Sequence, residues 1–193
     1  MKQPFPPPIE PEAIAEAKTA ARHVARARRL GIDPALGTLL AANLFDDPKL
    51  RSAHIVGGFW PLPEEIDIRP LLHALHDRRQ RICLPVTGRR GHPLTFHEWH
   101  PETELSTGRF GTSHPDGARL IPDLLLMPLL GFDRQGTRLG YGGGYYDRTI
   151  AALPGAWRYG CAFAAQEFDS LPSGPYDAPL HAVATELGLR HFG

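Results

Sequence analysis

Arg138-Leu139-Gly140-Tyr141-Gly142-Gly143-Gly144-Tyr145-Tyr146-Asp147-Arg148 packs four glycines, three tyrosines, two arginines and a carboxylate into eleven residues. Glycines this close together let the backbone take positive φ and let a ligand approach the main chain. A helix starting just beyond them would aim its free N–H groups and positive dipole end at an anion, with phosphate the first candidate. The flanks place the loop. Asp123-Leu124-Leu125-Leu126-Met127 is a short apolar run of the kind buried on both faces of a parallel sheet, and Tyr145 to Leu153 continues as a helix ended by Pro154-Gly155. The order strand, long loop, helix puts the loop at the carboxyl end of a strand, where open α/β sheets bind ligands. The common phosphate motifs do not fit it: no Gly-Lys-Ser/Thr follows the glycines, and the dinucleotide fingerprint would need a glycine where Tyr145 stands.

Outward from this stretch, the pattern predicts helices over 11–30, 34–45 and 66–79, and strands over 53–59, 81–86, 94–99, 123–129, 157–164 and 182–185. Strands alternating with helices imply a three-layer α/β/α fold, doubly wound around a mostly parallel central sheet. Proline and glycine, 20 of each, are spread as punctuation and gather in no hinge, so residues 11–193 are expected to form one domain behind a flexible proline-rich tip over 1–10.

Lys plus Arg equals Asp plus Glu at 21 each, so no charge excess points to nucleic acid or a membrane surface. Any anion site has to come from local clustering. Cys83 and Cys161 lie in apolar runs, where a small buried hydrophobe fits better than a disulfide or metal ligand. With no apolar stretch long enough for a span or signal core, the expected location is the cytoplasm. The first helix carries a local cluster. Ile14, Ala17, Ala21 and Val24 form a narrow apolar stripe, beside which Lys18, Arg22 and Arg26 repeat at i, i+4. No acid occurs from Ala17 to Ile32 to relieve them or Arg28 and Arg29, so a polyanion would.

Met127-Pro128, Phe132-Asp133, Gly136, Arg138-Leu139-Gly140, Gly142, Gly144 and Tyr145-Tyr146-Asp147 fall in an order that closely resembles the 5-formyltetrahydrofolate cyclo-ligase family, also called methenyltetrahydrofolate synthetase. The resemblance implies ATP- and Mg²⁺-dependent closure of 5-formyltetrahydrofolate to 5,10-methenyltetrahydrofolate, with ADP and phosphate released through a phosphorylated formyl group. It implies that ATP meets Lys18, Arg22, Arg138, Leu139, Gly140, Tyr141, Gly142, Gly143, Gly144, Tyr145 and Tyr146, with Arg138 and Tyr145 at the reacting centre. The folate would meet Trp60, Glu65 and the stretch Tyr141 to Tyr145; Asp147 and Asp177 would hold Mg²⁺. Arg26, Arg28 and Arg29 stay with an ordinary solvated face. Two readings stand for Glu65, a pterin acceptor or an acid in a helix N-terminal turn, and Trp60 fits ordinary packing as well as a pocket wall. The expected partner is a folate with or without a polyglutamate tail, with a monomer or weak homo-oligomer and neither nucleic acid nor membrane. His181 and His114 stand where the family usually has acids. They leave open a non-catalytic nucleotide- or folate-binding module, or a related ligase or kinase with another small substrate.

Overall fold

The structure, a computed structural model, describes residues 10–192; except for Glu10, the expected flexible tip lies outside the described residues. In chain order the elements are α1 (Glu12–Arg29), a 3₁₀ turn (Pro34–Leu36), α2 (Gly37–Phe45), α3 (Pro48–Ser52), β1 (Ile55–Gly57), α4 (Arg69–Asp77), β2 (Arg81–Val86) and β3 (Thr95–Trp99). There follow β4 (Leu105–Thr107), β5 (Ser113–Pro115), β6 (Arg119–Leu120), β7 (Leu124–Pro128), β8 (Gly131–Asp133), β9 (Arg138–Leu139) and α5 (Tyr145–Ala152). The chain closes with β10 (Trp157–Cys161), β11 (Glu167–Phe168), β12 (Ala182–Thr185) and β13 (Gly188–His191).

Eight strands form the central sheet in the order β13-β12-β10-β7-β1-β2-β3-β6. The middle five run parallel, while β13, β3 and β6 are antiparallel additions at the edges. Leu124 and Leu126 of β7 share a core with Leu40, Leu44, Leu50, Leu71, Leu72 and Leu75 from α2, α3 and α4. Leu125 and Met127 belong to the core of the other face, under Ile150 of α5. Burial on both faces is why this strand reads as an unbroken apolar run. Cys83 and Cys161 are free and buried, and burial pushes the Cys161 thiol up to about 12, in keeping with packing roles. Among the described residues no helix is long and apolar enough to cross a membrane.

The winding fixes where a ligand fits. From β1 the chain passes through α4 to β2 on one side, and from β7 through α5 to β10 on the other. Direction therefore reverses between β1 and β7, and a crevice opens at their carboxyl ends. The segment leaving β1 carries Trp60 and Glu65, and the segment leaving β7 carries the glycine loop.

Three expectations change. The chain from β7 to α5 is not one long loop, because β8 and β9 form a hairpin to which β11 adds a third strand. Buried Asp133 ties it down, accepting from the N–H groups of Gln135 (2.9 Å), Thr137 (2.9 Å) and Leu171 (3.0 Å). Leu130 N–H donates to the Leu139 carbonyl at 2.8 Å, so the hairpin returns the chain to the end of β7. The third helix starts at Arg69 instead of Ile66, since the Asp67 carboxylate caps Arg69 N–H at 2.9 Å and Pro70 occupies the first turn.

The apolar stripe expected on α1 is not its packed face. Ala17 is exposed and Val24 is 47% exposed, whereas Lys18, Ala25 and Arg29 are buried. The helix lies against the β8-β9-β11 sheet and the glycine loop, where Ala21 and Ala25 meet Leu130, Leu139, Leu171 and Phe168, while Lys18, Arg22 and Arg29 find partners in the Asp177 carboxylate, the Gly140 carbonyl and the Glu64 carboxylate.

Candidate active site

Gly142 and Gly144 take φ of +96° and +64°, conformations that side-chain-bearing residues rarely adopt, and Gly144 caps α5. The loop is braced from both sides. Arg22 Nε donates to the Gly140 carbonyl at 2.9 Å and Arg148 Nη2 to the Gly143 carbonyl at 2.7 Å. A Cβ on Gly142 would lie 3.3 Å from the Arg22 guanidinium carbon, so Arg22 rests directly on the loop.

Two buried cations stand behind it, each already paired. Arg138, in β9, donates through Nη1 to the Ala178 carbonyl (3.0 Å) and through Nη2 to Asp147. Lys18 Nζ donates to Asp177 Oδ2 at 2.6 Å and to Glu10. Burial alone would lower the Lys18 ammonium; the hydrogen bonds from Asp177 and Glu10 outweigh it and hold the group above its ordinary value. Glu10 was not expected here, and only its place two residues before α1 hints at it.

The same contacts bear on Mg²⁺. Asp147 spends Oδ1 on Arg138, while Asp177 spends Oδ2 on Lys18 and on Gly174 N–H (2.7 Å). Arg138 links Asp147 to Ala178, the residue after Asp177. In each carboxylate the other oxygen takes no part in these bonds. Among the described residues no group of three or more His, Cys, Asp or Glu could hold a metal alone. Mg²⁺ bound with substrate phosphates needs only one or two carboxylates, so this donor set fits that kind of site and not an all-protein cage.

Glu65 is 6% exposed and lies before α4, not in its first turn. Its Oε2 accepts from Leu62 N–H at 2.8 Å and its Oε1 from the Tyr141 hydroxyl. Burial raises the Glu65 carboxyl above its ordinary range, against the pull of Tyr141, Leu62 and Arg29. The Tyr141 contact joins the glycine loop after β9 to the acid-bearing turn after β1. A cleft of about 250 Å³ borders Glu65, walled by Pro61, Leu62, Pro63 and Arg69.

Arg29 belongs to this network and not to a solvated face. Its Nη1 donates to the Tyr141 hydroxyl at 2.8 Å and its Nη2 to Glu64 Oε2 at 3.0 Å. Helical geometry could have found it: at about 100° per residue, Arg29 lies within about 20° of Lys18 around α1, whereas Arg26 lies about 80° away. Arg28 is also engaged, its guanidinium carbon 4.1 Å from the centre of the Phe168 ring.

Other predicted residues divide. Leu139 is buried in a small core with Ala25, Leu130 and Leu171, so only its main chain is open to a ligand. The Tyr146 hydroxyl is buried without a partner. Trp60 packs beside Trp99, ring centres 6.0 Å apart, with the Arg69 guanidinium 5.6 Å from its ring. Tyr145 does face the loop, its ring edge 2.9 Å from a Cβ placed on Gly143. Phe110, which sequence reasoning missed, presents its ring 6.3 Å from Tyr145 while 73% exposed and at φ +60°.

A sequence profile describing the 5-formyltetrahydrofolate cyclo-ligase family matches residues 11–186. The chain belongs to that family. It is 34% identical over 181 residues to the 5-formyltetrahydrofolate cyclo-ligase of Escherichia coli K12, across 83% of this chain and 95% of that protein. The Haemophilus influenzae enzyme of the same name is 31% identical over 160 residues, across 74% and 80%. The structure of Aquifex aeolicus 5,10-methenyltetrahydrofolate synthetase superposes with a TM-score of 0.78 at 26% identity, covering 90% of this chain and 92% of that one. The Mycoplasma pneumoniae synthetase shares the fold, with a TM-score of 0.70 at 22% identity, over 88% and 98%. Family membership makes the chain a ligase of folate one-carbon metabolism.

The two histidines that depart from the family pattern differ in consequence. His114, its side chain 17% exposed, has Nδ1 3.6 Å from the exposed carboxylate of Asp116. His181 is tightly held. Its Nδ1 accepts from Arg158 N–H at 3.0 Å, its Nε2 lies 2.9 Å from Arg158 Nη2, and its ring packs against Trp157, centres 4.6 Å apart and planes tilted by 45°. Burial, then the positive charges of Arg158 and Lys49, push the imidazole below its ordinary 6.5. The unfolded chain therefore binds more protons than the folded one just below pH 6.5. The contribution of His181 is complete above that value and is lost as pH falls through the lower folded one. An aspartate could accept from both Arg158 donors. His181→Asp is expected to gain about 1 kcal/mol and raise Tm by about 2–4 °C. Melting curves from pH 7.5 to 5 would check this; a variant that melts no higher than wild type, with the same acid loss, contradicts it.

Proposed function

We propose that the protein closes 5-formyltetrahydrofolate to 5,10-methenyltetrahydrofolate, consuming ATP with Mg²⁺ and releasing ADP and phosphate. The observation that carries this reading is the Tyr141–Glu65 contact, which sets an anion-binding glycine loop against a buried acceptor at the one reversal point of the sheet. The loop amides of Gly140 to Gly144, with Lys18, Arg22 and Arg138, hold the triphosphate. Lys18 and Arg138 are prearranged in ion pairs, so their charge needs little reorganisation when phosphate arrives. Glu65 keeps a free lone pair on each oxygen for the amino and ring N–H groups of a pterin, with Tyr145 and Trp60 offering flat apolar surface. Asp147 and Asp177 would hold Mg²⁺, which when bound would supply charge neutralisation for the phosphates.

The chemistry needs little more than alignment. A formamide oxygen leaves poorly; once it carries the γ-phosphoryl group, the ring-closing nitrogen attacks the formyl carbon, the C–O bond breaks with phosphate as leaving group, and the nitrogen's proton passes to that phosphate. ADP leaves with the other two phosphates. No side chain at the site is placed as a general base, which suits a reaction governed by positioning. The proposed setting is a cytoplasmic monomer or weak homo-oligomer.

Purified protein given Mg-ATP and 5-formyltetrahydrofolate is expected to show growing methenyl absorbance and one ADP per product. Folate binding with no ADP, or ATP turnover only with other acceptors, would overturn the reading. Gly142→Ala tests the loop separately. It is expected to strain the left-handed backbone by about 1–2 kcal/mol and displace Arg22, raising KM for ATP roughly tenfold. An unchanged KM would show that the loop does not carry the nucleotide.

A further inference from the structure

Arg29 ends α1 with only 5% of its side chain exposed, yet its Nε is buried without a partner among the described residues. A buried donor left unpaired costs about 1–3 kcal/mol, so folding alone gives little reason to keep a guanidinium here. What it does is directional. Arginine can only donate, so the Tyr141 oxygen accepts from Nη1 and must turn its own proton to Glu65. The guanidinium also lies 5.6 Å from the Tyr141 ring centre and reaches Glu64 with its other arm. Two elements distant in sequence, the acid turn and the glycine loop, are thereby locked to one helix end. Arg22, two turns earlier, reaches the carbonyl of Gly140 instead.

We infer that Arg29 is a positioning residue for the folate half of the site, holding Tyr141 on Glu65 so that the free lone pairs of Glu65 face the pterin. This rests on the ligase reading above. Nucleotide contacts fall to Lys18, Arg22 and Arg138, so α1 serves the two substrates through different side chains. Losing Arg29 should weaken folate capture and leave ATP capture alone.

The test is steady-state kinetics in both substrates for Arg29→Gln, Tyr141→Phe and the double variant, with wild-type turnover measured first. Arg29→Gln is expected to raise KM for 5-formyltetrahydrofolate about tenfold, with kcat and KM for ATP within about twofold. The double variant is expected to be no worse than the poorer single one, because both break the same contact. Should Arg29→Gln not fold, Arg29→Lys, which keeps the charge and one donor, is read the same way. Additive losses, equal rises in both KM values, or a fall confined to kcat would overturn the role of Arg29. Absence of wild-type turnover would instead remove the reaction on which the role depends.

Discussion

Arg138→Ala is expected to lower kcat/KM for ATP by about 10²–10³-fold, the scale set by deleting one prearranged donor at a developing charge. Arg138 is tightly built into the site, with its side chain 6% exposed and both terminal nitrogens engaged. Truncation removes the positive charge behind the glycine loop. It also releases Asp147, which stands in the first turn of α5 and is proposed to hold Mg²⁺. Because Asp147 is about one third exposed, water partly replaces the lost partner, and the stability cost should stay near 1–2 kcal/mol. Arg138→Lys keeps the charge but not the two-armed fork, so it should fall between. Initial-rate measurements at varied ATP, beside a melting curve, separate the two effects; wild-type kinetics in Arg138→Ala would remove the phosphate assignment.

Asp47→Ala should be strongly destabilising although it lies away from the site. Its carboxylate is 2% exposed. It caps α3 by accepting from Leu50 N–H (2.8 Å), accepts from the buried Tyr159 hydroxyl (2.9 Å), and faces His191 Nε2 of β13 at 3.1 Å. Loss of the cap costs about 1 kcal/mol and an orphaned buried hydroxyl about 1–3, giving roughly 3 in all. For a chain of this size that is a Tm lower by about 6–12 °C. None of these contacts touches the glycine loop, so kcat/KM well below the melting point should stay within about twofold. A Tm unchanged by the substitution, or activity lost in fully folded protein, would contradict this division between scaffold and site.

How much of this was legible in sequence depends on what each residue touches. β7 could be read because burial on both faces leaves an unbroken apolar run, and the glycine loop because positive φ selects glycine. The short element α3 and the β8-β9 hairpin were not read, since side-chain contacts define them: Asp47 starts α3, and Asp133 closes the hairpin. On α1, amphipathicity misled. The periodicity argument assumes that an inward face is wholly apolar, but this face packs Ala25 on Leu130, Leu139 and Leu171 and also buries Lys18 and Arg29 against Asp177 and Glu64. Arg29 was passed over for that reason, although its angular position beside Lys18 was available. Phe110 carried no local signal; only the fold brings its loop against Tyr145.

A crystal structure with Mg²⁺, a non-hydrolysable ATP analogue and 5-formyltetrahydrofolate tests the central claim most directly. The account predicts the γ-phosphate on the amides of Gly140 to Gly144, beside Lys18, Arg22 and Arg138, with the pterin on Glu65 and its formyl oxygen turned to that phosphate. A triphosphate seated elsewhere, with the glycine loop unchanged and filled by its own side chains, would contradict it.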